Sequence, residues 1–288
     1  MKSKNIHRKV SGIVLLAAVF ALFLTSCDKL NAPYYTVKSG GDTTKITRKV
    51  LLEDYTGQKC PNCPTAAVTA SALQDAYNGR LIVMAVHAGF FADSSSSGDF
   101  TANYKTPAGN DWNDYFEFAS YPNGLVDRKP FKGAVIVGAD QWAEAVDSVI
   151  ILPPEASIKI TNVYDDPTRH LAITVDTRFL ALLAGTYNLT VCILEDSIIS
   201  PQKNSDPNVG TTPIIHDYVF MHMMRGSLNG TWGDELTSDI EDTTVTVTKD
   251  YEITLNTKWV PKNCSVLAFV QNAGTKEIIQ AEKKKILP

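Results

Sequence analysis

Two cysteines with a spacing used in thiol chemistry stand in the first quarter of the chain, in the tetrapeptide Cys60-Pro61-Asn62-Cys63. They follow a strand-like run and precede an alanine-rich stretch of helical character. A thiolate at the start of a helix is stabilised by unpaired backbone N–H groups and by the positive end of the helix dipole. We therefore predict that Cys60 is the nucleophile and that Cys63, one helical turn behind, resolves the mixed disulfide.

The surroundings of this pair decide how its spacing is interpreted, because structural disulfides and half zinc sites share the same spacing. A position between a strand and a helix favours a redox site. His87, at the end of the next apolar run, is a candidate proton carrier or metal ligand, although a packed histidine is the commoner outcome. His216 and His222 accompany a methionine-rich stretch that could bind copper, but its pattern favours core packing.

The beginning of the chain resembles a bacterial export signal. Residues 1–26 have a basic head and an apolar run that is too short for a membrane span, which needs about 20 apolar residues. The four residues that end at Cys27, LTSC, resemble a lipobox. We expect cleavage before Cys27 and its lipidation; the alternative is a plain signal peptide with a chance cysteine. Two or more acyl chains would anchor the protein stably to a membrane.

Charge and cysteine count restrict the function further. Removing residues 1–26 takes away four basic residues and no acidic ones, so the formal net charge changes from −4 to −8. An acidic protein without a basic face is not expected to bind nucleic acid. Outside the cytoplasm disulfides persist, and the two remaining cysteines, Cys192 and Cys264, lie in apolar strand-like runs. We predict a structural disulfide between them; two buried free thiols are the alternative.

Four segments follow from the pattern along the chain. Residues 1–26 are the signal peptide and residues 27–45 a polar, flexible tether. Residues 46–152 contain strand and helix patterns in alternation. Helices are predicted over 64–79, 111–119 and 140–150, a strand over 131–138 and a long insertion over 91–109. Residues 153–288 contain short alternating apolar runs between turn signals, which predict an all-β sandwich of immunoglobulin-like type.

Two landmarks resemble the thioredoxin superfamily. The run TRKVLLEDYTGQKCPNCPTA is similar to its strand-to-active-site segment, and Tyr121-Pro122 before NGLVDR is similar to its cis-proline loop. The resemblance implies a thioredoxin-like domain over residues 46–152. It also implies that Pro122 is cis, packs against the cysteines and leaves the backbone of Tyr121 free to pair with an extended peptide substrate.

The same resemblance implies a buried carboxylate six residues before the first cysteine, which moves protons at the second. Asp54 occupies that position and Glu53 is its neighbour. Because alternate strand residues face opposite sides, only one of the two can face the cysteines, and the sequence leaves the choice open.

A narrower resemblance covers most of the mature chain. The lipobox and the segments TGQKCPNCP, VHAGFFA, YPNGLVDR and HDYVFMHMMRGSLNGTWGDEL resemble the Bacteroidetes outer-membrane lipoprotein family named for its 28-kilodalton member. This resemblance implies a lipid-anchored protein of the cell envelope, on the periplasmic or the surface face of the outer membrane.

These observations predict thiol–disulfide exchange on exported proteins or with a redox partner protein, with no cofactor or metal required. The alternative is a binding or adhesion lipoprotein in which the thioredoxin-like fold is a scaffold and the cysteine pair a structural disulfide.

Overall fold

The computed structural model describes residues 46–287. The predicted signal peptide over 1–26, the tether over 27–45 and the lipidation site Cys27 lie outside the described residues. Within the described part the fold is mixed α/β and rich in strands, with three α-helices and fourteen β-strands. A β-rich fold is therefore confirmed.

The first half of the described chain contains the helices. Its elements are β1 (Val50–Thr56), α1 (Cys63–Ala76), β2 (Leu81–His87), α2 (Pro107–Tyr115), β3 (Asn123–Val126), β4 (Val137–Gly138) and α3 (Trp142–Ile150). Every residue of β1 and β2 is buried, as expected for continuous apolar runs covered on both faces. The two strands pair in parallel, and α1 forms the crossover between them.

Two elements differ from their predicted bounds for local reasons. Helix α2 begins at Pro107 rather than at residue 111, because the Thr106 hydroxyl accepts a hydrogen bond from the backbone N–H of Gly109 and proline suits a first helical turn. The strand predicted over 131–138 is reduced to Val137–Gly138, because Lys132 and Gly133 have φ angles of 50° and 89° and form a turn.

The second half is entirely strands apart from a short 3₁₀ turn at Pro261–Asn263. In order, its strands are β5 (Ala156–Asp165), β6 (His170–Phe179), β7 (Leu183–Glu195), β8 (Ile198–Lys203), β9 (Ile214–Phe220), β10 (Met223–Ser227), β11 (Asp234–Ile240), β12 (Thr246–Thr254), β13 (Cys264–Asn272) and β14 (Ile278–Lys285).

One large sheet connects strands from both halves. Its order is β14-β13-β7-β10-β2-β1-β3-β4, with β11 also paired to β7. The junction lies where Met223 of β10 stands beside Ala85 of β2, whose N–H donates to the carbonyl of His222 at 2.9 Å. The boundary predicted after residue 152 falls between α3 and β5, but strands from its two sides share this sheet. Two smaller sheets are β12-β6-β5 and the β8-β9 hairpin.

Three apolar clusters fill the layers. One joins β1 and β2 to α1 and α3 and includes the fully buried Trp142. A second contains Trp112 of α2, the two cysteines of the tetrapeptide and side chains of β7 and β13. The third packs β5 and β6 against β7 and β13. The shared β1–β2 pair thus supports apolar layers on both faces and places the loop between β1 and α1 among them.

Candidate functional site at the Cys60–Cys63 disulfide

The two cysteines of the tetrapeptide form a disulfide with a Cα–Cα distance of 5.4 Å. Cys63 is the first residue of α1, and the preceding Asn62 makes no side-chain cap hydrogen bond to the helix. The N-terminal N–H groups of α1 therefore lie next to the disulfide without that cap. Both cysteines are buried, with exposed fractions of 0% for Cys60 and 2% for Cys63.

Cys60 is covered by a segment that the sequence analysis did not associate with the site. The side-chain amide of Gln202 in β8 donates to the carbonyl of Cys60 at 2.8 Å. The N–H of Ser205 donates to the carbonyl of Pro61 at 2.9 Å, and its hydroxyl donates to Asn62 at 2.7 Å. These contacts fix the loop that carries Cys60 against residues from the second half of the chain.

The insertion predicted over residues 91–109 borders the same loop from another side. The N–H of Lys59 donates to the carbonyl of Phe91 at 3.0 Å, and the side chain of Gln58 donates to the carbonyl of Ala102 at 3.0 Å. Gly57 is required here, because a Cβ atom at this position would lie 2.4 Å from the carbonyl carbon of Phe91. The loop is therefore held on both sides.

A cavity of about 320 Å³ lies beside the disulfide. Alternate residues of β1 and β2 form one wall because they point to the same face of the sheet. Cys63 is part of the lining, whereas Cys60 is not. The lining also includes Asp54, Ala67, Val68, His87, Tyr218, Val219, Met221 and His222.

Asp54 is the acidic group of this cavity. It is 3% exposed, and its Oδ1 atom has no hydrogen-bond partner within residues 46–287. Burial without a compensating partner disfavours the charged form and raises the pKa of Asp54 from 3.8 to about 7. Burial, and then the charge of Asp54, raise the pKa of Tyr218 to about 12. Asp54 can therefore both hold and release a proton near neutral pH.

Glu53 lies on the opposite side of β1. Its two carboxylate oxygens accept hydrogen bonds from Arg128 at 2.7 and 2.8 Å, and both side chains are fully buried. A third hydrogen bond joins Arg128 to Gln271 of β13 at 2.6 Å. Of the two carboxylates between which the sequence could not decide, Asp54 shares a cavity with Cys63, and Glu53 belongs to an ion pair elsewhere.

The Tyr121–Pro122 peptide bond is cis. Pro122 directly precedes β3, whose first residue, Asn123, pairs with Tyr55 near the end of β1 from which the cysteine loop departs. The ring of Tyr121 belongs to the same apolar cluster as the two cysteines. The structure therefore places Tyr121 in the cluster that contains the cysteines, with Pro122 next to it in the chain.

Of the three candidate histidines, two line the cavity and one is exposed. His87 lines the cavity between the rings of Tyr104 and Phe220, and neither of its ring nitrogens has a hydrogen-bond partner within the described residues. Burial and the nearby charge of Arg225 lower its pKa to about 3, so its imidazole is neutral. His222 also lines the cavity, and His216 is exposed.

A metal site does not emerge from this arrangement. Within residues 46–287 no group of three or more His, Cys, Asp and Glu side chains is placed to hold a metal ion. In the methionine-rich stretch, Met223 and Met224 are buried in the core, which confirms the packing interpretation for them.

The predicted Cys192–Cys264 disulfide is not formed; among residues 46–287 both cysteines are free, and both are buried. Cys192 pairs with Leu267 and Cys264 with Glu195, so the two lie three positions apart along the β7–β13 ladder. An odd offset directs their side chains to opposite faces, and they belong to different apolar clusters. The apolar runs predicted their burial correctly, but the register excludes the bond.

Comparison with solved structures gives an overall likeness of fold. HBP35 of Porphyromonas gingivalis is 20% identical, with a TM-score of 0.62 over 84% of this chain and 76% of that chain. A protein of Agrobacterium tumefaciens is 12% identical, with a TM-score of 0.51 over 84% and 96%. A domain of the outer membrane lipoprotein Omp28 from Porphyromonas gingivalis is 23% identical over 47% and 90%, with a TM-score of 0.32.

Comparison with sequence families is more specific. The model of a family described as outer membrane protein Omp28 matches residues 109–288, which is more than half of the chain. No curated protein matches the sequence. None of the helices in residues 46–287 has the length and apolar character needed to cross a membrane. The cysteine pair precedes the matched range, so the family match does not include it.

Proposed function

We propose that this chain, which belongs to the Omp28 family of outer membrane proteins, carries out thiol–disulfide exchange at Cys60 and Cys63. Family membership confirms the predicted family resemblance and the outer-membrane location. In the proposal, the lipid on Cys27 anchors the protein, and its partners are exported proteins or a redox partner protein.

The observation that carries this proposal is the presence of Asp54 and Cys63 in one cavity. Opening a disulfide produces a thiolate that must be protonated, and closing it requires a base. A group is most effective in both roles when its pKa lies near the working pH. Burial has brought the pKa of Asp54 to about 7, whereas an ordinary exposed aspartate would be a poor acid at this pH.

The order of elements around the pair supports the proposed thioredoxin-like arrangement of residues 46–152. A buried strand leads to the disulfide, a helix begins at its second cysteine, and a parallel strand follows. The cis Tyr121–Pro122 bond precedes the next strand. We assign to Pro122 and the backbone of Tyr121 the role of guiding an extended partner chain, and we retain residues 153–288 as a proposed sandwich.

A second candidate function is favoured by the complete burial of Cys60. The contacts of Gln202 and Ser205 cover its loop, as would suit a permanent disulfide in a binding or adhesion module. In that case the cavity carboxyl would have no proton to move.

The reduction potential of the Cys60–Cys63 couple separates the two functions. Structural disulfides of exported proteins have potentials below about −300 mV, and exchanging ones have higher potentials. We expect the mature wild-type protein to have a higher potential and to catalyse reduction of insulin by dithiothreitol. The Cys63→Ser variant serves as the inactive control. A potential below that limit together with no turnover would leave the binding module as the function.

A further inference from the structure

The two cysteines of the disulfide differ in their surroundings, because Cys63 lines the cavity and Cys60 does not. The loop of Cys60 is closed by Gln202 and Ser205 on one side and by Phe91 on another. Cys63, by contrast, forms part of the wall of the cavity beside Asp54. A molecule that enters the cavity therefore meets Cys63 first.

The cavity has the character of a binding site for a small molecule. Its volume of about 320 Å³ lies at the lower end of the range for small-ligand pockets. Two of its polar side chains are buried and have atoms without a hydrogen-bond partner in the described part of the chain: Oδ1 of Asp54 and both ring nitrogens of His87. Unpaired buried polar atoms are costly, so a bound molecule with hydrogen-bonding groups would satisfy them.

The rim of the cavity is apolar. Val68 of α1, Val219 of β9 and Met221 line it and are 55%, 47% and 43% exposed. Exposed apolar side chains grouped around an opening are a feature of binding sites. Together the rim and the interior suit a compact molecule with an apolar body and one or two polar groups, and the space is too small for a folded protein surface.

We propose that the cavity admits a low-molecular-weight thiol, and that this thiol attacks Cys63 rather than Cys60. The inference rests on the proposed function and adds its substrate class and the order of the steps. It reverses the roles predicted from the sequence, in which Cys60 was the sulfur that exchanges.

The exchange takes place in two steps. The thiolate of the small molecule forms a bond to Sγ of Cys63, the Cys60–Cys63 bond breaks, and the electron pair goes to Sγ of Cys60. The uncapped start of α1 favours a thiolate in this region and so assists Cys60 as leaving group. Water protonates the Cys60 thiolate. A second small thiolate then attacks the sulfur of the bound small molecule, the bond from that sulfur to Sγ of Cys63 breaks, and Asp54, which shares the cavity with Cys63, protonates the Cys63 thiolate. The small molecule leaves as its disulfide, and both cysteines are reduced.

Trapping the mixed disulfide tests the order of attack. The oxidised mature protein is mixed with 2-mercaptoethanol, quenched in acid after milliseconds to seconds and alkylated with N-ethylmaleimide. Fragmentation of the peptide that contains both cysteines locates the two groups. We expect 2-mercaptoethanol on Cys63 and the maleimide on Cys60 in at least nine of ten trapped molecules. The opposite assignment would overturn the inference while leaving thiol–disulfide exchange intact.

Closing the cavity provides a second test, with a matched control on the same helix. Ala67 lines the cavity and is partly exposed. The larger side chain of the Ala67→Trp variant can therefore fill the cavity without displacing buried backbone. Ala72 is exposed on α1 outside the lining, and Ala72→Trp is the control. We expect Ala67→Trp to slow reduction by 2-mercaptoethanol at least tenfold and Ala72→Trp to change it less than twofold.

The two variants also distinguish failure of the inference from failure of the proposed function. Equal rates in Ala67→Trp and the wild type, with insulin reduction still catalysed, would show that the cavity is not the route. If neither cysteine of the wild-type protein forms an adduct and the protein catalyses no insulin reduction, both the inference and the proposed function are contradicted.

Discussion

Glu53 and Asp54 are consecutive residues of one buried strand, and they have opposite surroundings. Glu53 faces Arg128, which donates to both of its oxygens. Asp54 faces a cavity, and one of its oxygens has no partner among the residues that the structure describes. A buried carboxylate with a bidentate partner stabilises the fold only as a pair, and a buried carboxyl without one titrates near neutral pH. The strand thus separates a carboxylate held in a buried ion pair from a carboxyl that titrates near neutral pH.

The segment YPNGLVDR supplies the residues that form buried ion pairs with Glu53 and Arg48. Asp127 and Arg128, both with positive φ angles of 48° and 53°, direct their side chains to different partners. Asp127 pairs with Arg48 at 2.8 Å and also accepts from the N–H of Leu51. Burial outweighs the effect of Arg48 and raises the pKa of Asp127 to about 6. This segment therefore connects β1 to the rest of the molecule through buried polar contacts.

The largest expected effect on the free energy of unfolding comes from removing Arg128, the partner of Glu53. Arg128→Met leaves the carboxylate of Glu53 buried and unpaired, which should lower the free energy of unfolding by about 3–5 kcal/mol. Urea denaturation at pH 7.5 measures it. The double variant Glu53→Gln/Arg128→Met should recover part of the loss, because no charge remains unpaired. A loss below about 1 kcal/mol for Arg128→Met would contradict the assigned role.

A smaller effect of the opposite sign on the free energy of unfolding is expected from substitution of Asp54. Because the pKa of Asp54 is raised from 3.8 to about 7 in the folded protein, its contribution to stability falls as pH rises between these values. Asp54→Asn should therefore raise the free energy of unfolding at pH 8 by roughly 2–4 kcal/mol and change it little at pH 4. Glu53→Gln, the adjacent control, should be destabilising at pH 8. A destabilised Asp54→Asn at pH 8 would count against the account.

The smallest expected effect on stability comes from an exposed ion pair, which serves as a reference for the buried Glu53–Arg128 pair. Lys132 and Glu144 form an ion pair with both side chains more than half exposed. Lys132→Met should change the free energy of unfolding by less than about 0.5 kcal/mol, because water and salt screen such pairs. The same urea series checks it. A change as large as that of Arg128→Met would mean that burial is not what distinguishes the two pairs.

The sequence predicts the local elements of the site well. The apolar run before Cys60, the alanine-rich helix and the next apolar strand determine β1, α1 and β2 through nearest-neighbour patterns. The six-residue spacing to Asp54 is likewise local. Alternation alone shows that Glu53 and Asp54 face opposite sides, but not which side holds the cysteines.

The contacts that the sequence does not reveal join residues that lie far apart along the chain. Arg128, which decides the role of Glu53, lies 75 residues further along the chain, and Gln202, which covers Cys60, lies 142 residues from it. Neither residue has a motif that indicates its partner. The register between β7 and β13, which separates Cys192 from Cys264, also depends on pairing that no local pattern specifies.

The central claim, that Asp54 governs exchange at the disulfide, is tested most directly by the pH dependence of its reduction. The rate constant for 2-mercaptoethanol, expressed per thiolate, is measured from pH 5 to 9 in the wild type and in Asp54→Asn. His87, Tyr218 and His222 share the cavity, and His222→Gln serves as a control for the histidine beside Asp196. We predict that the wild-type constant falls above a pH of about 7, as Asp54 loses its proton, and that the Asp54→Asn constant is flat. A wild-type profile that is flat, or a fall that persists unchanged in Asp54→Asn, would contradict the account.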